Sequence, residues 1–318
     1  RPFRYQPHFP TAMLPAGIAA AFVVGMGVSN VLTDPFAPTP IRELPVVNAN
    51  LDCARSPATA FCSADILVIG DSQAAMYTPA VRAFGRRHDL KVAQSVAPGC
   101  TPTFGARMIS GEKFTAIQDA CDDALRLWQA QLAKTSARLV VISARWELAL
   151  ADPTSGGFKT RQSFLAPPGF DGVPSLELSR RTFDTAFGDL LTALTGAGKA
   201  VVVVGQLPMQ TTVGIICANR HTDSDEATAE ACDATSLDAY RERAEPINSM
   251  LASLARERSR VLFIDPSSAL CVDRCHLTSV GKVIYANDSH LNARGSTTVL
   301  RPYEADIDVL LTPSATAG

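Results

Sequence analysis

Residues 66–72 read Ile66-Leu67-Val68-Ile69-Gly70-Asp71-Ser72. An unbroken apolar run rich in β-branched residues and closed by glycine fits a strand buried on both faces. Such strands belong to parallel sheets covered by helices. Comparable runs occur at Asp65–Ile69, Lys91–Val96, Arg138–Ser143, Ala200–Gly205 and Arg260–Ile264. Between and after them lie helix-like stretches at Thr78–Arg87, Ile117–Lys134, Ser179–Ala197, Ala239–Arg258 and Ser296–Leu311. This alternation predicts an α/β domain, a parallel sheet between two helical layers. Reactive groups in such sheets collect at the carboxyl ends of the strands, where Ser72 stands.

The chain has 318 residues, 47% of them hydrophobic and 19% charged, with a formal net charge of −2. That suffices for one large domain plus an appendage. The absence of a basic stripe excludes nucleic acid as an expected partner. No phosphate loop, dinucleotide fingerprint or metal-ligand cluster is visible, so neither cofactor nor metal is expected. The eight cysteines, taken in order, pair locally as Cys53/Cys62, Cys100/Cys121, Cys217/Cys232 and Cys271/Cys275. Unpaired thiols or zinc are the alternatives, and the lack of Cys-x-x-Cys argues against zinc. Disulfides imply an oxidising compartment such as a periplasm.

Met13–Leu32 carries no charge. As a helix of about twenty residues it would span roughly 30 Å, the thickness of a bilayer's hydrocarbon core. Arg1 and Arg4 precede it and Asp34 is the first charge after it. The positive-inside rule then places the rest of the chain outside the cytoplasm. The start at Arg1 suggests a piece of a longer protein. A cleaved signal or a buried helix would be the other readings. The run is long for a signal, and no clear cleavage site follows. Residues 33–60 are rich in proline and polar turns and read as an extended linker. Residues 61–318 then hold the α/β domain, in which Pro153–Pro174 reads as a loop.

A second informative string is Tyr285-Ala286-Asn287-Asp288-Ser289-His290-Leu291, before the C-terminal helix. A serine and a histidine brought together at a sheet edge make a nucleophile and its general base. A carboxylate is wanted to orient the imidazole, and Asp288 is the nearest. Asn287 or a backbone carbonyl supporting a Ser–His dyad is the other arrangement. Asp273-Arg274-Cys275-His276-Leu277 offers a competing histidine with Asp-x-x-His spacing. The cysteines beside it and the strand-like stretch Lys282–Tyr285 after it favour His290. After the second strand, Ala97-Pro98-Gly99-Cys100 offers a glycine whose backbone can approach an oxyanion closely. After the third strand, Ala144-Arg145-Trp146-Glu147 offers donors from Arg145 and a ring at Trp146 that would stack on a sugar; a surface salt bridge and a half-buried aromatic are the bland alternative. Gly205-Gln206-Leu207-Pro208 reads as a structural turn.

At Gly70-Asp71-Ser72, Ala97–Pro102, Ala144–Trp146 and Tyr285–Gly295 the chain resembles the SGNH (GDSL-like) hydrolases. It is most similar to the SGNH domain fused to the C-terminus of acyltransferase-3 membrane proteins, bacterial O-acyltransferases that modify cell-surface glycans. The resemblance covers about residues 60–311. It implies a three-layer αβα fold, Ser72 as nucleophile, His290 as base, and Ser72 and Gly99 N–H groups in the oxyanion hole. The wider superfamily has an asparagine near Arg145; the acyltransferase-fused branch has Arg-Trp. Its acid stands three residues before the histidine, which here is Asn287, with Asp288 two before. The implied partners are an acyltransferase-3 membrane domain upstream in the same chain, an acyl donor and a surface oligosaccharide, and the implied location is a bacterial inner membrane with the catalytic domain in the periplasm. The alternatives are a periplasmic esterase with the same residues or a non-catalytic glycan-binding module.

Overall fold

The computed structural model describes residues 53–110, 115–152, 163–221, 232 and 234–312. The expected membrane helix and the linker up to residue 52 lie outside these residues. Among the described residues no helix is long and apolar enough to cross a membrane.

Five strands form one sheet: β1 (Ile66–Gly70), β2 (Val92–Val96), β3 (Leu139–Ser143), β4 (Ala200–Val204) and β5 (Val261–Ile264). Their order is β2-β1-β3-β4-β5 and every neighbouring pair is parallel. Each falls within two residues of its expected position. The main helices are α1 (Ser72–Arg87), α2 (Thr115–Gln131), α3 (Leu176–Gly196), α4 (Thr212–Arg220), α5 (Leu237–Arg256), α6 (Ala293–Leu300) and α7 (Glu304–Leu311).

Strand alternation sends β1's side chains into two separate cores. Leu67 and Ile69 join Trp128 of α2, Phe183 and Phe187 of α3 and Leu251 of α5. Ile66 and Val68 join Tyr77 and Phe84 of α1, Ile215 of α4, Val299 of α6 and Ile307 of α7. Helices therefore cover both faces, which is why the three central strands β1, β3 and β4 read as continuous apolar runs.

From β1 the chain first builds β2 on one side, then crosses back to lay β3 on the other. The carboxyl ends of β1 and β3 thus form the crevice where ligands bind in open sheets. Gly70 makes that close approach possible. Its φ is +137°, and a Cβ there would lie 1.7 Å from the Ser143 carbonyl oxygen on β3.

Three local expectations change. Helix α1 starts at Ser72, six residues before Thr78. Pro79 sits inside it; in sequence, proline reads as a first-turn residue. The C-terminal helix is broken at Arg301–Tyr303 into α6 and α7, with Pro302 in the break. Part of the expected loop is a strand, Ser163–Ala166, antiparallel to Arg107–Ser110.

All four expected cysteine pairs are disulfides, with S–S separations of 2.08, 2.03, 2.00 and 2.15 Å. Cys53 already belongs to the core, and its N–H donates to Gln131 Oε1 at 3.1 Å. The last part of the expected linker is therefore fastened to the domain.

Candidate active site

Ser72 opens α1 directly after Gly70-Asp71. Asp71 is the N-cap: its carboxylate accepts the Gln73 N–H at 2.7 Å and, with its other oxygen, the Arg145 N–H at 2.9 Å. One side chain therefore fixes the nucleophile's turn and ties it to the segment after β3. Asp71 is almost fully buried. Burial outweighs its two backbone hydrogen bonds and the Arg145 charge, and holds its carboxyl at about 6. Ser72 is the first helical residue, so helix geometry makes no use of its N–H.

His290 comes from a hairpin of Tyr285–Asn287 and His290–Leu291. Its Nε2 lies 2.8 Å from Ser72 Oγ. Two glutamines seat the hairpin. Gln73 Nε2 donates to the Ser289 carbonyl at 3.0 Å. The Gln210 N–H donates to the Asp288 carbonyl at 2.8 Å. Leu291 N–H also donates to Met76 Sδ at 3.2 Å. A distance of 218 residues in sequence is closed by contacts to the first two turns of α1 and the loop after β4.

The orienting group differs from the expectation. Nδ1 of His290 meets Asn287 Oδ1 at 2.9 Å, while the Asp288 carboxylate accepts from Ser289 Oγ at 3.1 Å and Thr212 Oγ1 at 3.5 Å. A bulge between Tyr285 and Asn287 shifts the register, and it is Asn287 whose side chain meets the ring. The Ser289 N–H donates to the same Asn287 oxygen at 3.0 Å, which fixes the amide with its oxygen towards the ring. His290 Nδ1 must then carry the proton, leaving Nε2 bare to accept from Ser72. Burial and the nearby Arg145 charge hold the imidazole below its ordinary pKa, and Asp288 opposes them.

Gly99 has φ +76° and is the third residue of a turn closed by Cys100 N–H to the Ala97 carbonyl at 3.0 Å. With Pro98 second, this is type II geometry, which needs φ > 0 at the third position. The turn's bond does not use the Gly99 N–H. Cys100 is bonded to Cys121 of α2, so the turn is fastened at the carboxyl edge. Gly70 is in register with both Val96 and Ser143, which puts the Gly99 turn and Arg145 on either side of the nucleophile's strand.

Arg145 is held from beneath. Its Nε donates to Glu147 at 2.6 Å, and Glu147's other oxygen accepts from Arg243. Glu147 and Arg243 are buried while Arg145 is partly exposed. Trp146 is not at the surface. It is 0% exposed, donates Nε1–H to the Val204 carbonyl at 3.0 Å and packs edge-on to Phe183 and Phe187. It cannot stack on a sugar; it anchors the segment that presents Arg145. His276 lies 3.8 Å from Asp273 and is not brought to Ser72. Gln206 is buried and accepts the Glu147 N–H at 3.0 Å, in keeping with a structural turn. Sequence reasoning passed over Gln73, Ser289 and the pairing of Glu147 with Arg243. A polar residue directly after the nucleophile was the one available signal for Gln73. Among the described residues no group of histidine, cysteine or carboxylate side chains could hold a metal.

Two solved structures align with the chain, and the first shares its fold. One is the periplasmic domain of a lipopolysaccharide acetyltransferase from Salmonella ser. Paratyphi A, with 12% identity, a TM-score of 0.51 and coverage of 81% of this chain and 90% of that one. A GDSL-like lipase from Bacteroides thetaiotaomicron also aligns, with 12% identity, a TM-score of 0.38 and coverage of 83% and 97%. No curated protein matches the chain. The model of the SGNH domain fused to AT3 domains matches residues 43–305, and with that span covering most of its length, the chain belongs to this family.

Proposed function

We propose that this is an O-acyltransferase domain that moves an acyl group, acetyl by family likeness, onto a hydroxyl of a bacterial cell-surface glycan. The observation that carries the reading is the 2.8 Å contact between Ser72 Oγ and His290 Nε2 at the sheet's switch point. Family membership and the likeness to an acetyltransferase domain support the substrate class.

Ser72 Oγ attacks the carbonyl carbon of the acyl donor while its proton passes to His290 Nε2. The oxyanion forms against the Ser72 and Gly99 N–H groups, with the Arg145 guanidinium adding positive charge. Collapse expels the donor's leaving group, which takes the proton from His290. The sugar hydroxyl then attacks the acyl-serine, gives its proton to His290, and Ser72 regains one as the ester leaves. Asn287 orients the ring throughout. A binding module has no need of a serine aligned on a correctly tautomerised imidazole.

The four disulfides support a periplasmic site of action. In this reading residues 61–318 are the catalytic domain, 33–60 link it to a membrane helix within 1–32, and an acyltransferase-3 domain upstream supplies the acyl group. The test is incubation with an acetyl ester and an oligosaccharide, followed by mass spectrometry of the products. Acetylated oligosaccharide made by the wild type and not by Ser72→Ala or His290→Ala supports transfer. Free acetate alone would make the domain an esterase.

A further inference from the structure

Ser289 stands between three groups. Its Oγ is 3.2 Å from His290 Nδ1, 3.1 Å from Asp288 Oδ1 and 3.3 Å from Asn287 Oδ1. The residue is buried. A serine hydroxyl has one proton to give and two lone pairs to offer. Asn287 Oδ1 already accepts from the Ser289 N–H and from the imidazole. The strongest remaining acceptor for the hydroxyl proton is the Asp288 carboxylate, through a charge-assisted bond. With its proton so directed, Ser289 turns a lone pair to the Nδ1–H.

We infer that Asp288 acts on His290 through Ser289, whose hydroxyl carries the carboxylate's influence to the imidazole. The acid missing from direct contact with the histidine is thus present one hydroxyl away. No proton need travel along this path. When His290 takes the Ser72 proton, the imidazolium meets the Asn287 oxygen and a hydroxyl dipole aligned by a negative charge. Both backbone carbonyls of this short segment are fixed, Asp288 by the Gln210 N–H and Ser289 by Gln73 Nε2. Such a chain polarises its members more in a buried site than in water. Ser289 and Asp288 are positioning residues; neither touches the reacting atoms. Among the described residues, the other charge acting on His290 is Arg145 from the segment after β3, and Arg82, further along α1, lines the same cleft.

The inference rests on the Ser–His reading, and its test reads the histidine directly so that the two can fail separately. Ring-nitrogen NMR follows the His290 titration in the full 318-residue chain. Asp288→Asn is expected to lower its pKa by about 1 unit, the low end for a nearby opposite charge. Ser289→Ala is expected to lower it comparably, and the double variant no further than either single. Ser289→Thr, which keeps the hydroxyl, should stay near the wild type. On an acetyl ester, each disruptive single variant should lower kcat about tenfold with KM little changed. The inference is overturned if Asp288→Asn leaves His290 unmoved, or if its full effect persists in the Ser289→Ala background. Activity that survives Ser72→Ala would instead overturn the Ser–His reading, whatever the titration shows.

Discussion

Glu147 gives the sharpest test of how the site is held. Its carboxylate is fully buried between two guanidinium groups, Arg145 at 2.6 Å and Arg243 against the other oxygen. Glu147→Gln preserves the shape but removes the charge. It also turns an amide NH2 towards one arginine N–H, so two donors face each other. Breaking one side of a buried ion pair costs about 3–5 kcal/mol. Arg145 is partly exposed, so water can reach its freed guanidinium, which points to the lower end, about 3 kcal/mol. For a domain of this size that lowers Tm by about 6–12 °C. The same change releases Arg145, whose Nε loses its anchor, and kcat should fall about tenfold through lost positioning. Calorimetry and initial rates on an acetyl ester, both on chain shown to be folded by circular dichroism, supply the assay. A Tm within about 2 °C of the wild type together with unchanged kcat would refute the claim that Glu147 organises this edge.

Gly70→Ala forces a Cβ to within 1.7 Å of the Ser143 carbonyl at φ +137°. It should cost about 4 kcal/mol and about 10 °C in Tm, and a melt like the wild type's would contradict the crowding. Asp71 titrates at about 6 in the fold, above its ordinary 3.8. A raised acid stabilises the fold below its unfolded pKa and loses that contribution as pH rises through its folded one. The stability of wild type minus Asp71→Asn should therefore fall by about 3 kcal/mol between about pH 3.5 and pH 7. Urea titrations at several pH values measure it, and a difference constant with pH would sink the burial argument. Trp146→Ala should destabilise by about 3–5 kcal/mol, as the loss of a core aromatic does. At a temperature where the variant is folded, its KM for an oligosaccharide should be unchanged; a selective rise in that KM would restore Trp146 to the substrate site.

The sheet was legible in the sequence because its three central strands are covered on both faces and read as uninterrupted apolar runs, while the edge strand Val92–Val96 carries Gln94 and Ser95 among its apolar residues. The nucleophile was legible for a related reason: Gly70-Asp71-Ser72 stands at the carboxyl end of such a strand, where reactive groups collect. Short elements were harder. The four-residue strand Ser163–Ala166 gains its place only by pairing with Arg107–Ser110, and no local pattern announces that. The start of α1 was hidden by Pro79, which a helix held by tertiary packing tolerates in its interior. Trp146 beside Arg145 reads equally as a platform or an anchor, and only its packing on Phe183 and Phe187 decides. The partner of His290 turned on one residue. Asn287 and Asp288 differ by a single step along a bulged hairpin, and a single step changes which side chain lies against the ring.

The central claim is that His290 activates Ser72. The most direct measurement is labelling with a fluorophosphonate that reacts only with activated serines, followed by peptide mapping. We predict one adduct, on the peptide containing Ser72, formed by the wild type and by His276→Ala and lost in His290→Ala. Labelling at another serine, or in His290→Ala at the wild-type rate, would contradict the account.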